Sequence, residues 1–324
     1  MHYCQRGDEL KHPVQTSPPA RDQDISLNPA AGPIDWLVAA RLHHWVKNIL
    51  VFLPLALTPQ LLSVQSVIQC VLGFLALSIT CSGTYLFNDV LDRVADRQHL
   101  SKFRRPVAAN QISVSSALMV GMGMCVVGLL SAVAINIVFA ALLAAYIIVS
   151  IAYSYYLKTL VLLDLATLAG MFTMRIVMGA VLIGGVITPW LPVFVFLFFG
   201  GLSSAKRTAE LVGRTRRGDH SNNRRGYLEE DLALLIAMGV TFSVGALILL
   251  SIFLSMVAVP EMLYQSPLRL WVAVPLLLIW TLRIWIFAVR GALPDDPVLF
   301  SLRDPLSLFL GALLGLAILG AHLP

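Results

Sequence analysis

The sequence contains little charge. Of its 324 residues, only 13% are Asp, Glu, Lys or Arg, whereas 58% are hydrophobic and the mean hydropathy is +0.80. Because soluble domains carry about 25% charged residues, this shortage excludes an ordinary water-soluble protein. A bilayer core about 30 Å thick takes roughly 20 apolar residues per helix. The composition therefore predicts an integral membrane protein that crosses the bilayer several times.

Cysteine is also scarce, with four residues in the whole chain: Cys4, Cys70, Cys81 and Cys125. They show no CxxC spacing and no nearby histidine, and three of them lie in apolar stretches. This pattern argues against a zinc site or a disulfide framework, so we interpret the cysteines as small packing residues.

The N-terminal segment differs in composition from the rest of the chain. Residues 1–33 are polar and include the run Pro18-Pro19-Ala20-Arg21-Asp22. We predict that they form a disordered polar tail, followed by one membrane domain over 34–324. No short apolar segment with a small-residue cleavage site occurs there, so we expect no cleaved signal peptide.

Apolar runs separated by polar connections predict an all-α fold, a polytopic membrane bundle of about nine transmembrane helices. Polar residues interrupt the start of the first run, so we expect that part to lie along the membrane surface. The predicted spans are 36–57, 67–88, 112–135, 137–156, 160–186, 190–205, 232–257, 268–289 and 305–322.

Basic residues alternate sharply between the connections. Those after the second, fourth, sixth and eighth spans hold nearly all of the Lys and Arg residues, whereas the other connections hold only Arg269. The positive-inside rule then places the N-terminus in the cytoplasm. The same asymmetry explains the net charge of +5 without nucleic acid as a partner.

Four oxygen-bearing side chains follow one another at the end of the second span: Asn88, Asp89, Asp92 and Asp96. At about 100° per residue, they line one stripe of a helix roughly 12 Å long. Like charges at this spacing repel each other. Mg²⁺ would offset the repulsion, because it prefers oxygen ligands and often links carboxylates to substrate phosphates. The alternative is a solvated acidic cap whose charges pair with Arg93, Arg97 and their neighbours.

Further polar residues occur at other predicted cytoplasmic helix ends. Arg175 lies deep in the fifth span, eleven residues after Asp164 on the same helix face, so it should point inward and meet a partner or a ligand. One interpretation of Tyr153 is an interfacial belt residue. The segment Asp295 to Asp304 precedes the last span, and we favour a helix-capping role for its aspartates over direct catalysis.

The stripe matches in full the Asn-Asp-x-x-Asp-x-x-x-Asp signature of the UbiA superfamily of intramembrane prenyltransferases, which the chain resembles over about residues 36–320. It looks most like the decaprenyl-phosphate phosphoribosyltransferase branch. That closer likeness lies in the motifs at Arg41 to Asn48, His99 to Pro106, Tyr153-Ser154 with Lys158, Lys206 to Glu210 and Leu299 to Asp304.

The resemblance implies a central cavity open to the cytoplasmic side, a polyprenyl lipid substrate and a diphosphate-bearing donor. It implies that Asp89, Asp92 and Asp96 bind Mg²⁺ and diphosphate and that Asn88 orients a ligand. In this branch, a 5-phosphoribosyl group would move from phosphoribosyl diphosphate to a polyprenyl phosphate in the bacterial inner membrane. The candidate phosphate-binding residues are Lys47, Lys102, Arg105, Tyr153, Lys158, Asp164, Arg175, Lys206 and Arg207.

Two other functions stay open at this stage. A prenyltransferase would use the polyprenyl diphosphate as the electrophile and an aromatic or other small acceptor. Such enzymes usually show a second pair of carboxylates on a later helix, whereas here Asp164 is followed four residues later by Leu168. A transporter or lipid-binding protein would keep the spans, but it typically shows inverted repeats, which we do not find. The sequence predicts no particular oligomeric state.

Overall fold

The computed structural model describes residues 31–98, 102–185, 188–217, 226–260, 263–293 and 296–323. Within these ranges the chain is helical and contains no strand. Residues 1–30 of the predicted tail, and Cys4 with them, lie outside the described residues. The first helix begins at Pro33, at the end of the predicted tail.

Eleven α-helices are described in these ranges. Short 3₁₀ segments connect several of them, and the most important of these spans Leu42–Phe52 between α1 and α2. The helices are α1 Pro33–Ala40, α2 Leu53–Leu57, α3 Val64–Gln98, α4 Val114–Ile135, α5 Ile137–Tyr155, α6 Leu163–Leu182, α7 Trp190–Arg216, α8 Leu232–Phe253, α9 Ala273–Val289, α10 Pro297–Ser301 and α11 Pro305–Ala321.

Six helical segments of the described chain are long and apolar enough to cross a membrane, fewer than the predicted nine. Two shorter apolar segments, Leu42–Leu57 and Pro305–Ala321, correspond to the first and last predicted spans. Helix α7 is 27 residues long, but charged residues in its second half lower its hydropathy. The six segments are Val64–Gln98, Val114–Ile135, Ile137–Tyr155, Leu163–Leu182, Glu229–Ala258 and Pro267–Val289.

Large apolar side chains cover the outside of the bundle. Leu130, Ile148 and Leu316 are each more than 60% exposed. Exposing such an apolar surface to water is unfavourable in free energy, whereas contact with lipid tails is not. The small residues face inward instead: a Cβ on Gly83 would lie 2.6 Å from the Gly121 carbonyl oxygen, so glycine is required where α3 meets α4.

The start of the first predicted span packs against helices of the bundle. The 3₁₀ segment Leu42–Phe52 packs between α3 and α6, with Asn48 and Val51 buried. Gly179 of α6 permits this approach, because a Cβ there would be 2.1 Å from the Val51 carbonyl oxygen. The buried Asn48 of this segment finds polar partners inside the bundle, in Ser78 and Arg175, and the position of the segment along the membrane surface stays a prediction.

Candidate active site

The three aspartates of the stripe lie in the last turns of α3, at one end of the bundle. Asp89 and Asp96 are buried, with 2% and 5% of their surfaces exposed, and Asp92 is partly buried. A carboxylate removed from water needs a cationic or hydrogen-bonding partner. Each aspartate has a basic partner from another segment of the chain.

Arg105 bridges two of the aspartates with a single nitrogen. Its Nη1 lies 2.7 Å from Asp96 Oδ2 and 3.3 Å from Asp89 Oδ1. The two carboxylates therefore converge on one cationic position. Arg93 and Arg97 bond elsewhere: both donate to the side chain of Asn110, and Arg97 also donates to the Ala108 carbonyl. Those two arginines hold the loop that carries Arg105 against α3. The alternative in which the aspartates pair with Arg93 and Arg97 therefore does not match these contacts.

The other partners come from before and after the stripe. Arg41 forms an ion pair with Asp89, and its guanidinium stacks over the ring of Tyr85. Arg41 has a left-handed backbone conformation (φ 51°, ψ 49°) that separates α1 from the following 3₁₀ segment. Lys158, in the connection between α5 and α6, places its ammonium 2.5 Å from Asp92 Oδ1. Arg41 was not among the predicted site residues, although the motif Arg41 to Asn48 begins with it.

Asn88 and Lys102 complete the predicted stripe region. Asn88 is partly buried, and its side chain makes no hydrogen bond to the described residues. Lys102 lies in the 3₁₀ turn Lys102–Arg104, three residues before Arg105, and it forms no ion pair with Asp89, Asp92 or Asp96. Residues 99–101 of the same predicted motif lie outside the described residues.

A second ion-pair network joins α6 to α7. Arg207 donates to both oxygens of Asp164, from Nε at 2.5 Å and from Nη2 at 2.9 Å, and both residues are buried. Tyr153 donates to Asp164 at 2.8 Å, and Arg207 also reaches Glu210 at 2.8 Å. Such bidentate pairs are specific in geometry. Tyr153 is therefore part of an internal network here, in contrast to the predicted belt position.

Arg175 points into the bundle, as its depth in the sequence predicted. Its guanidinium donates to Asn48 Oδ1 at 2.9 Å, to the Tyr146 hydroxyl at 2.7 Å and to the Met171 carbonyl at 2.7 Å. It also lies over the rings of Tyr146 and Phe172. All of these partners are neutral, and no carboxylate of the described residues lies within ion-pair distance of Arg175.

Lys47 forms an ion pair with Asp296, which precedes α10. His44 Nδ1 lies 3.7 Å from the same carboxylate. Burial acts to raise the pKa of Asp296, but the adjacent Lys47 ammonium outweighs it and holds that pKa below its ordinary value. Lys206 pairs with Glu210 at 4.0 Å, and its charge also interacts with those of Lys47 and Asp296. The beginning of the described chain and the segment before α10 thus meet at this cluster.

The aspartates before the last span are helix caps, as predicted. Asp296 accepts hydrogen bonds from the amides of Val298 and Leu299, and Asp304 accepts from Ser307. Asp304 also receives two hydrogen bonds from Arg283, at 3.1 and 2.7 Å. Asp295 lies outside the described residues.

The stripe fits a divalent cation in its donor chemistry. Mg²⁺ commonly uses one or two carboxylates together with substrate phosphates, and Asp89 and Asp96 already converge on one cationic atom. In the described part of the chain, however, no three His, Cys, Asp or Glu side chains come close enough to hold a metal by themselves. Asp92 is turned toward Lys158. The structure thus brings Asp89 and Asp96 together and turns Asp92 aside, and the binding of Mg²⁺ by all three aspartates stays a prediction.

Comparison with known proteins identifies the family of this chain. The UbiA prenyltransferase family profile matches residues 49–319. The chain belongs to the UbiA prenyltransferase family. A UbiA homologue from Archaeoglobus fulgidus, solved bound to GPP and Mg²⁺, superposes with a TM-score of 0.62 at 16% identity, covering 88% of this chain and 99% of that one. At this identity the likeness shows the UbiA fold, and the chain is an integral membrane protein of a family of transferases.

Several curated proteins are similar in sequence. The uncharacterized protein y4nM of Sinorhizobium fredii is 37% identical over 283 residues, which are 87% of this chain and about half (55%) of that protein. The nodulation protein NoeC of Azorhizobium caulinodans is 29% identical and covers 87% of this chain and 92% of its own length. Decaprenyl-phosphate phosphoribosyltransferase of Corynebacterium glutamicum is 31% identical over 56% of this chain and 55% of its own.

Proposed function

We propose that this protein is a Mg²⁺-dependent intramembrane transferase that moves a 5-phosphoribosyl group from phosphoribosyl diphosphate to a polyprenyl phosphate. Its product would be a precursor of a cell-envelope glycolipid. The observation that carries the proposal is the convergence of Asp89 and Asp96 on one cationic atom, Arg105 Nη1. A divalent ion at that position would join both carboxylates to a diphosphate.

The proposed reaction also needs cations that bind the phosphate groups, and basic residues lie around the stripe. Arg41, Arg105 and Lys158 reach the three aspartates from three different segments. With a diphosphate bound, the same cations would be available to its phosphate oxygens. Arginine suits this task because its planar fork binds phosphate in two places.

The reaction follows from these charges. An oxygen of the lipid phosphate attacks the anomeric carbon of the ribose while the bond from that carbon to the diphosphate breaks and its electron pair leaves with the diphosphate. Bound Mg²⁺ would neutralise charge on the leaving group. Arg41, Arg105 and Lys158 stabilise the charge that remains. No general base is required, because a phosphate monoester is already ionised near neutral pH.

The phosphoribosyl reaction is favoured over prenyl transfer by the surroundings of Asp164. A second pair of carboxylates on α6 would need an acid one turn after Asp164, but Leu168 stands there and Arg207 occupies both oxygens of Asp164. We therefore assign Asp164 and Tyr153 to holding Arg207 in place. The similarity to decaprenyl-phosphate phosphoribosyltransferases supports the same choice.

We place the enzyme in a bacterial inner membrane with its N-terminus and active site facing the cytoplasm. The positive-inside rule supports this orientation, because the end of the bundle that holds the stripe is also the basic end. Phosphoribosyl diphosphate is a water-soluble donor, so a cytoplasmic opening gives it direct access.

The experiment is a transfer assay with purified protein in detergent or nanodiscs. Radiolabelled phosphoribosyl diphosphate, polyprenyl phosphate and Mg²⁺ should yield labelled lipid, and EDTA should prevent it. Label transferred from a polyprenyl diphosphate to an aromatic acceptor would instead identify a prenyltransferase. No transfer from either donor by folded protein would favour a transporter or lipid-binding protein.

Variants test the site within the same assay. Asp89→Asn and Asp96→Asn should each abolish transfer and weaken Mg²⁺-dependent binding of diphosphate. Glu230→Gln is the matched control, because Glu230 is an exposed acid outside the stripe. If all three variants bind Mg²⁺ and diphosphate as the wild type does, the stripe is not the site.

A further inference from the structure

Three non-glycine residues of the described chain have a left-handed backbone: Arg41 (φ 51°), Asn110 (φ 58°) and Leu162 (φ 71°). Such residues are uncommon and tend to occur at functional sites, where the surrounding structure holds them. Each of the three lies in a segment that supplies a cation to the stripe. Arg41 is itself such a cation, Asn110 lies in the loop after Arg105, and Leu162 lies in the connection that carries Lys158.

The side chain of Asn110 holds the loop after Arg105 against α3. Its Oδ1 accepts hydrogen bonds from Arg93, whose Nη2 lies 2.8 Å away, and from Arg97. Arg97 also donates from Nε to the Ala108 carbonyl at 2.9 Å. Asparagine adopts the left-handed conformation more readily than most residues do. One residue therefore supplies both the backbone turn and the acceptor for two arginines of α3.

The loop between Arg105 and Asn110 is a compact turn. Ala109 donates its amide to the Arg105 carbonyl at 2.8 Å, and the Asn110 amide lies 3.4 Å from the Val107 carbonyl oxygen. Val107 is completely buried, in a cluster of apolar side chains. A turn that is bonded and buried in this way moves as a unit. A shift of Asn110 is therefore passed to Arg105, five residues earlier.

Helix α3 holds Arg105 from two sides. The carboxylates of Asp96 and Asp89 lie 2.7 and 3.3 Å from its Nη1. Two arginines of the same helix hold the loop that carries it, through Asn110. Hydrogen bonds weaken steeply as their geometry departs from the optimum, so the guanidinium reaches both carboxylates only while its loop stays at this distance.

We propose that Asn110 is a positioning residue that keeps Arg105 against both Asp89 and Asp96. Asn110 touches no substrate and acts through Arg105. The inference rests on the proposed function, in which Arg105 stabilises the charge on the departing diphosphate. A misplacement of about 1 Å can lower a rate about a hundredfold, so a looser loop should slow the transfer.

The first test is the transfer assay with Asn110→Gly. Glycine adopts the left-handed conformation freely, so this change removes only the acceptor. We expect kcat to fall about tenfold or more while the KM for polyprenyl phosphate stays unchanged, because the lost interaction acts on the leaving group in the transition state. Asn110→Asp keeps an acceptor oxygen and should retain most of the activity. A kcat equal to that of the wild type in Asn110→Gly would overturn the proposal.

The second test measures melting temperatures of the full chain in detergent, and it separates positioning from general stabilisation. In EDTA, Asn110→Gly should lower the melting temperature less in an Arg105→Gln background than in the wild type, because its effect passes through Arg105. Added Mg²⁺ should raise the melting temperature of Asn110→Gly more than that of the wild type, as we expect for Arg105→Gln. Strictly additive losses in the double variant would overturn the proposal.

Ser113→Ala is the matched structural control. Ser113 lies three residues after Asn110 and caps α4 by accepting the Ser116 amide at 3.1 Å. This variant should lower the melting temperature without changing kcat or the response to Mg²⁺. An equal loss of kcat in Ser113→Ala would show that any weakening of this region slows transfer, and it would overturn the role of Asn110. A wild type without transfer and without a response to Mg²⁺ would count against the proposed function, whereas the coupling of Asn110 to Arg105 in EDTA would still decide this inference.

Discussion

Arg207 binds Asp164 through two parallel hydrogen bonds, of 2.5 and 2.9 Å, between α7 and the start of α6. Both side chains are almost completely buried. Removing one member of a buried pair leaves an uncompensated charge and costs about 3–5 kcal/mol. Asp164→Asn should therefore lower the free energy of unfolding by an amount in this range, measured by denaturation in detergent.

The same arginine offers a matched control for that prediction. Glu210 also contacts Arg207, but its side chain is one-third exposed. Glu210→Gln should cost less, about 1 kcal/mol, because water screens the partly exposed carboxylate of Glu210. Equal losses of stability in the two variants would contradict the structural role that we assign to Asp164.

We expect Arg105 to stabilise the metal-free protein by neutralising charge on Asp89 and Asp96. In Arg105→Gln, the carboxylates of Asp89 and Asp96 lose the cation that they share, so the metal-free protein should melt at a lower temperature. Added Mg²⁺ should then raise the melting temperature more than it does in the wild type, because a ligand that binds the folded state stabilises it. An identical Mg²⁺-induced shift in both proteins would show that Arg105 does not share the cation position.

Helix α6 allows a test of how closely the 3₁₀ segment Leu42–Phe52 must approach. Gly179→Ala would force a Cβ against the backbone of Val51, moving the segment that carries Lys47 and Asn48. We expect a clear loss of stability and of phosphate binding. Gly170→Ala on the same helix meets nothing within 4 Å and should stabilise the helix by up to about 1 kcal/mol. Unchanged stability and phosphate binding in Gly179→Ala would mean that the backbone of Val51 does not lie against Gly179.

The pair between Arg283 and Asp304 predicts a pH dependence of stability. The hydrogen bond from Arg283 lowers the pKa of Asp304 from 3.8 to about 2. Because the folded-state pKa is depressed, the pair contributes fully above pH 3.8 and its contribution is lost as the pH falls toward 2. Asp304→Asn should lower the melting temperature at neutral pH and reduce its decline over this acidic range. Arg283→Gln should flatten the same part of the profile, and an unchanged profile in both variants would refute the assignment.

Much of the architecture follows from local sequence patterns. Apolar runs predicted the helical class, and the spacing of Asp89, Asp92 and Asp96 predicted their common stripe. The inward direction of Arg175 followed from its depth in an apolar helix. These features depend on residues close together in the chain, so periodicity and the cost of burying charge are sufficient to predict them.

The partners within the site could not be predicted in this way. Arg41 and Asp89 are 48 residues apart, and Arg175 and Asn48 are 127 apart. No local pattern relates such residues, because their contacts depend on how whole helices pack. The six candidate spans also differ in number from the nine predicted. The first and last predicted spans correspond to shorter apolar segments, and α7 carries charged residues in its second half.

The ion pair between Lys47 and Asp296 has a consequence for biogenesis. Lys47 is synthesised well before its carboxylate, because Asp296 lies far later in the sequence. Until then, the segment around Lys47 lacks the counter-charge that it has in the finished bundle. The segment around Lys47 should consequently reach its final position only after Asp296 has been synthesised, and chains truncated before Asp296 should be degraded by quality-control proteases.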